Sequence, residues 1–430
     1  MNRQLGPGAG PAHRQHRAMN RPDFTVIGIG ADGWEGLTRV AREALRAAEL
    51  VVGSERQLSS LPPDCPPQRR WESPLMPMLH ELLKSEFESV AVLASGDPML
   101  HGIGATLCGL LSADAITSGR LRIIQHPSAL ALACARLGWP EAEVTLISCV
   151  NAPLEPVVRA LQPQRRLVIY TSGTDGPARL AALLTARGWG ASTFIALEQL
   201  GGADELITTT TASSAEELVT GRLSAVALEC HPDPGVTALS TVPGLPDSAY
   251  DHDGALTKRH VRAATLAALA PYPGALLWDI GAGSGSVGIE WLRAAPYSRV
   301  IALEPRPDRA ARIARNAAAL GVPELEVISG LAPQQLTGLP TPDAVFIGGG
   351  LTSGVITDCW EALRPGGRLV ANAVTIEGEM LLVEAQRNYG GELVKIAISH
   401  VDGLGTFTAW RPALPVVQWE VQKAIGVGQS

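Results

Sequence analysis

Lysine is scarce in this chain of 430 residues. Of 35 basic residues only four, Lys84, Lys258, Lys395 and Lys423, are lysine. The remainder is arginine, whose planar fork holds carboxylates bidentately. Positive charge is also outnumbered, with 42 acidic residues and a formal net charge of −7. That balance, together with an aromatic content of 4% and no basic–aromatic stripe, argues against a nucleic-acid-binding protein. No apolar run approaches the roughly 18 residues of a membrane span, so no membrane partner is expected. The six cysteines, Cys65, Cys108, Cys134, Cys149, Cys230 and Cys359, include no CxxC pair. They read as reduced core thiols of a cytoplasmic protein. The nine histidines show no HExxH spacing, and no metal site is expected. The first 22 residues are polar, rich in Gly and Pro, and lack the apolar stretch of a secretory signal. They read as a disordered tail.

What the chain does have is core-forming material. Hydrophobic residues make up 46% and charged residues 18%, with a mean hydropathy of +0.13. A chain this long divides into two domains, and apolar β-rich runs alternate with amphipathic stretches throughout, which implies α/β with mostly parallel sheets. Strands are expected at 24–28, 90–94, 122–125, 144–147, 167–170 and 224–228, with helices at 37–48, 129–136 and 176–187. Residues 233–255 are rich in Pro, Gly, Asp and Ser without periodicity, and read as an interdomain linker. A second alternation follows, with strands at 276–280, 300–304, 326–329, 344–347, 368–371, 393–398 and 406–410. The last two are separated by a short loop, 399–405, and should pair antiparallel.

The strongest local signal is the segment 278–288, WDIGAGSGSVG. It follows an apolar strand and opens a helix, so Gly281, Gly283 and Gly285 let backbone approach a ligand beside free N–H groups. Glu304 ends the next strand, where a carboxylate can accept ribose hydroxyls. Asp279 would sit badly beside a pyrophosphate but well beside a sulfonium cation. With the segments 256–262 (LTKRHVR), 330–333 (GLAP) and 343–350 (DAVFIGGG), this half resembles the class I S-adenosylmethionine (SAM) methyltransferases. More narrowly, it resembles the decarboxylating corrin-ring methyltransferases. The resemblance implies a Rossmann-like fold in which Thr257, Gly281, Ala282, Gly283, Ser284, Gly285, Glu304 and Ala332 line the SAM site. The family often has Asp where this chain has Glu304. Cations at a helix start oppose its macrodipole and need a reason. The carboxylate side chains of a tetrapyrrole would supply one, so Lys258, Arg259 and His260 are candidate catalytic residues. Arg262, Gly348 and Gly349 are candidate substrate contacts.

The first half offers a GxGxxG pattern at Gly28, Gly30 and Gly33, which alone suggests NAD. Asp32 inside that loop would repel a pyrophosphate, however, and the following strand reaches Gly53 and Ser54 before any acid. Other segments carry a different likeness: 93–98 (LASGDP), 126–129 (HPSA), 198–205 (EQLGGADE) and 227–229 (ALE). Over about 23–232 the chain resembles the class III tetrapyrrole methylases. That implies a two-lobed α/β fold with SAM held by Gly96, Asp97, Pro98, Ser128 and Ala129, and with Gly28, Gly30, Asp32 and Gly33 facing the tetrapyrrole. Related corrin-ring enzymes often carry Ser-x-His-Gly where this chain reads Ser148, Cys149, Val150 and Asn151, which leaves contacts there open.

A class III methylase at 23–232 joined to a class I methylase at 256–430 implies a bifunctional SAM enzyme with one SAM site per domain. It would methylate C-5 and C-15 of a reduced precorrin ring and remove CO2 from the ring C acetate. Class III relatives are usually dimers, so at least a homodimer is expected. The alternatives are another methyl acceptor (a cobalt-containing precorrin or RNA), with the first half acting as a binding module, or a NAD-dependent reductase.

Overall fold

The computed structural model describes residues 22–221 and 223–425. All but the last residue of the expected tail lies outside them. The described chain divides into two compact units. The first comprises residues up to 150, 166–179 and 193–229, and the second comprises 151–165, 180–192 and everything from 230 onward.

The first unit holds two five-stranded sheets. In one, β1 (Asp23–Ile29), β2 (Leu50–Gly53), β3 (Gln68–Arg70), β4 (Ser89–Ser95) and β5 (Leu121–Ile124) lie in the order β3-β2-β4-β1-β5. All the pairings are parallel. Val26, Ile27, Val92 and Leu93 are 0–1% exposed, as the continuous apolar runs of a sheet covered on both faces require. The chain leaves β1 toward β2 and leaves β4 toward β5, so these neighbours feed connections in opposite directions. Such a reversal opens a crevice beyond the carboxyl ends of the strands, where open α/β sheets bind ligands.

The other sheet takes β6 (Val144–Ser148), β7 (Arg166–Tyr170), β8 (Thr193–Glu198), β9 (Leu206–Thr211) and β10 (Ser224–Glu229) in the order β6-β7-β10-β8-β9. Only β6 and β7 run parallel; the other three pairings are antiparallel. The expectation of mostly parallel sheets therefore fails here. Only residues 199–205 join β8 to β9, and a parallel crossover needs a dozen or more.

The second unit is built on a seven-stranded sheet. Its parallel core is β11 (Leu276–Ile280), β12 (Arg299–Glu304), β13 (Glu326–Ser329), β14 (Ala344–Ile347) and β15 (Arg368–Ala373), in the order β13-β12-β11-β14-β15. That is the Rossmann-like order, with its switch point between β11 and β14. The expected antiparallel pairing of the last two strands is wrong. β16 (Glu392–Ile396) pairs antiparallel with β19 (Val416–Gln422), a strand not foreseen, which also borders β15. The supposed loop is itself β17 (Ser399–Leu404), hairpinned with β18 (Phe407–Pro412). Leu404 opposes Phe407, so the turn is Gly405 and Thr406, and Gly405 supplies the positive φ of 62° that a two-residue hairpin needs. Asp402 and Gly403 look like turn residues but lie within the strand.

Residues 233–255 contain only a short turn of helix, Asp247–Ala249. They are nonetheless packed, with Leu245 and Tyr250 in the core of the second unit. Among the described residues no helix is long and apolar enough to cross a membrane.

Candidate active site

The second unit contains a cavity of about 1040 Å³ at the carboxyl ends of β11 and β14. Its floor is glycine. Gly281 and Gly283 have φ of 66° and 61°. A Cβ on Gly281 would stand 2.6 Å from the Gly349 Cα, and one on Gly283 would stand 3.0 Å from the Ala255 carbonyl oxygen. Gly348 and Gly349 donate their N–H groups back to the Ile280 carbonyl at 2.9 and 3.3 Å. The two strand ends are thus stitched together without side chains, and the backbone itself lines the cavity at Gly281, Ala282, Gly283, Gly348 and Gly349.

Two acids stand beneath this floor. Glu304 is 2% exposed; its oxygens accept from the Gly283 N–H at 2.9 Å and the Arg306 N–H at 3.1 Å. Asp279 is 1% exposed. One oxygen accepts from the Gly288 N–H at 3.0 Å, while the other is buried without a partner. Burial pushes its carboxyl up to about 7, against the pull of the Gly288 N–H, with the Glu304 charge adding to the rise. An orphaned carboxyl oxygen under a glycine cradle suits a cationic ligand. Ser284 is buried, with its hydroxyl unpartnered. Ala332 packs against the core on the far side of the sheet. Neither of these two, nor Gly285 or Glu304, lines the cavity as it stands.

The cavity wall is the start of the helix Arg259–Leu269, where Thr257, Lys258, Arg259 and His260 all face it. Arg259 is partly committed, because its Nε donates to the Gly244 carbonyl at 2.8 Å. The Lys258 ammonium has no protein partner among the described residues. Arg262 departs from the expectation of a substrate contact. Its side chain is 0% exposed and pairs with Glu290 at 2.6 Å and Asp247 at 3.3 Å. Its remaining N–H groups serve the Thr257 and Leu245 carbonyls. Helical spacing puts Arg262 on the inward face with Val261 and Leu266, and all three guanidinium nitrogens donate inside the protein. Glu290 also accepts from Gly244 and Leu245 N–H and from the Tyr250 hydroxyl, so this node fixes 244–257 against two helices and presents Thr257–His260.

In the first unit the crevice beyond β1 and β4 gathers the other candidates. The Cβ that Gly28 lacks would fall 2.3 Å from the Gly96 carbonyl oxygen; that of Gly30 would fall 2.5 Å from the His126 ring. Gly33 and Gly96 have φ of 56° and 60°. Arg56 binds the Gly30 carbonyl and the Ser95 hydroxyl, both at 3.2 Å. The Asp97 carboxylate accepts the Met99 N–H at 2.8 Å, holding the turn that Pro98 enters. Ser128 caps the helix Ala129–Leu137 by accepting from Ala131. Asp32 meets the His126 imidazole at 3.2 Å, a pairing of residues 94 apart that no local pattern announces. His126 entered the sequence reading only as the first residue of the segment 126–129, with no role given to it, and His400 and Asn372 in the other cavity were not singled out from the sequence.

Residues 23–216 match the family described as tetrapyrrole (corrin/porphyrin) methylases, and residues 248–423 match the precorrin methyltransferase domain. A precorrin-6Y C(5,15)-methyltransferase [decarboxylating] from Sinorhizobium sp is 44% identical over 94% of this chain and 98% of its own length. A probable cobalt-precorrin-6B C(15)-methyltransferase (decarboxylating) from Pyrobaculum calidifontis is 33% identical over 40% of this chain and 93% of its own. A cobalt-precorrin-7 C(5)-methyltransferase from Salmonella typhimurium is 28% identical over 43% of this chain and 88% of its own. Full-length likeness at that level, on a chain that carries both glycine cradles, places it by descent as well as by geometry: it belongs to the family of decarboxylating precorrin-6Y C(5,15)-methyltransferases, which are SAM-dependent enzymes of cobalamin biosynthesis.

Proposed function

We propose that this chain methylates C-5 and C-15 of a reduced precorrin-6 ring and removes CO2 from the ring C acetate, with each unit using its own SAM site. The 44% identity across nearly the whole length of a relative that carries both activities in its name supports this most directly. The half-length relatives, one named for C-15 with decarboxylation and one for C-5, support the division of labour. Residues 23–232 form the C-5 methylase, 256–430 the C-15 methylase and decarboxylase, and 233–255 join them.

SAM supplies a methyl group already activated on a sulfonium sulfur. In the second unit Thr257, Gly281, Ala282 and Gly283, which line the cavity, would hold it, with the Glu304 carboxylate available to its ribose hydroxyls and Asp279 offering negative charge; Ser284, Gly285 and Ala332 stand behind that lining. In the first, Gly96, Asp97, Pro98, Ser128 and Ala129 do the holding, and Gly28, Gly30, Asp32 and Gly33 face the ring. An enamine-like meso carbon is already nucleophilic, so the protein mainly aligns it and excludes water. The apolar cavity residues Val261, Val374, Ile398 and Val416 serve the second task. Decarboxylation needs an electron sink, which the conjugated ring provides, and a grip on the carboxylate. Lys258 has an uncommitted charge for it, with Arg259 and His260 beside it.

The test is mass spectrometry of the product formed from reduced precorrin-6 and SAM by the full chain. The second unit includes 151–165 and 180–192, so point variants are cleaner than cut halves. Wild type should add two methyls and lose CO2. Gly96→Val should still lose CO2 with one methyl added, and Gly283→Ala should lose the C-15 methylation and the CO2 release. An unchanged substrate mass with wild type and SAM would overturn the reading, and a cobalt-precorrin run in parallel decides the metal content of the substrate. At least a dimer is expected, to be read by light scattering.

A further inference from the structure

The cavity of the second unit is not lined by the helix start alone. His400, from β17, faces it as well. Its ring centroid lies 6.0 Å from that of His260, with the planes tilted by 32°. Both are exposed, and neither imidazole makes a hydrogen bond or ion pair within the protein among the described residues. Arg411 pairs with His400 across the hairpin, and its charge is taken by Asp402 at 2.9 Å. The other charged groups facing the cavity are Asp247, Lys258, Arg259 and Arg309. Of these, Arg309 is bound to Asp253 at 2.9 Å.

We propose that His400, together with His260, is a proton donor of the decarboxylation step. This deepens, and rests on, the reading that CO2 leaves in this cavity. When the bond between the acetate CH2 and its carboxylate breaks, its electron pair moves into the conjugated ring, CO2 departs, and an exocyclic methylene remains. That methylene becomes the methyl group by taking one proton as the electron pair returns from the ring nitrogen. An imidazolium gives the proton and regains it from solvent, so no further reactant is consumed. Imidazole suits this because it is the side chain most often used as a general acid. Lys258 holds the carboxylate before the bond breaks, and the two imidazoles serve the carbon left behind.

The experiment uses the full chain with SAM and reduced precorrin-6, following methyl transfer by mass and restoration of the final chromophore by absorbance. His400→Gln should leave SAM affinity and C-15 methylation close to wild type. It should slow formation of the proton-restored product on the order of 100-fold, the usual scale of general acid catalysis. His400→Ala should behave alike and recover with added imidazole, while His400→Gln should not. An unchanged rate in His400→Gln, or an equal fall in methylation and decarboxylation, would overturn the proposal. A wild-type chain that methylates without releasing CO2 removes the underlying reading and this proposal with it, and that outcome is seen without any variant.

Discussion

Asp279 shows how much of this protein's behaviour can hang on a single carboxyl. In an unfolded chain an aspartate titrates near 3.9, whereas burial holds this one protonated up to about 7 in the folded state. Its contribution to stability is therefore fully present below about pH 4 and is lost as pH rises through 7. Asp279→Asn cannot ionise, and its carbonyl oxygen can still accept from Gly288. Urea unfolding at pH 4.5 and pH 8 should show wild type losing roughly 2–4 kcal/mol relative to Asp279→Asn across that interval. A constant difference would mean the carboxyl does not titrate there. Gly281 is the backbone counterpart. A side chain at its φ of 66° costs about 1–2 kcal/mol, and the Gly349 backbone at 2.6 Å cannot yield as a side chain can. Gly281→Ala should lower stability by at least that much and abolish SAM binding in the second unit, as calorimetry would show.

At the scale of elements, the helix Arg259–Leu269 is held by the buried node that Arg262 forms with Glu290, Asp247 and two carbonyls. Removing one partner of a buried pair strands the other charge. Arg262→Ala should therefore cost about 3–5 kcal/mol and loosen the run Thr257–His260 that walls the cavity. The double variant Arg262→Met/Glu290→Leu should recover part of that loss, measured by thermal unfolding. If the single and double variants lose the same stability, the node acts through something other than charge. The spacing of Lys258, Arg259, His260 and Arg262 marks a helix start rich in cations, and the helix is there. Which residues turn outward was not legible, because it depends on where the segment 233–255 packs. β17 was missed for a related reason, since Asp402 and Gly403 signal a turn locally and only the pairing with β18 overrides them.

At the scale of the whole molecule, two glycine cradles on one chain predict two bound SAM molecules. Titration calorimetry should give a stoichiometry of two, falling to one in Gly96→Val, whose Cβ would meet the Pro127 carbonyl oxygen and the Ser128 Cα at 3.4 Å and whose β-branched side chain must hold a φ of 60°. A stoichiometry of one in wild type would leave the first unit as a binding module. The α/β class, most strands and both glycine loops were determined by the sequence alone, because each is set by local rules: apolar periodicity, glycine where φ is positive, a cap where a helix begins. The strand order of the second sheet, the burial of Arg262, the reach of Asp32 to His126 and of His260 toward His400 were decided only by tertiary structure. Those features join residues far apart in the chain, and no short-range pattern records which distant loop arrives at the same strand end.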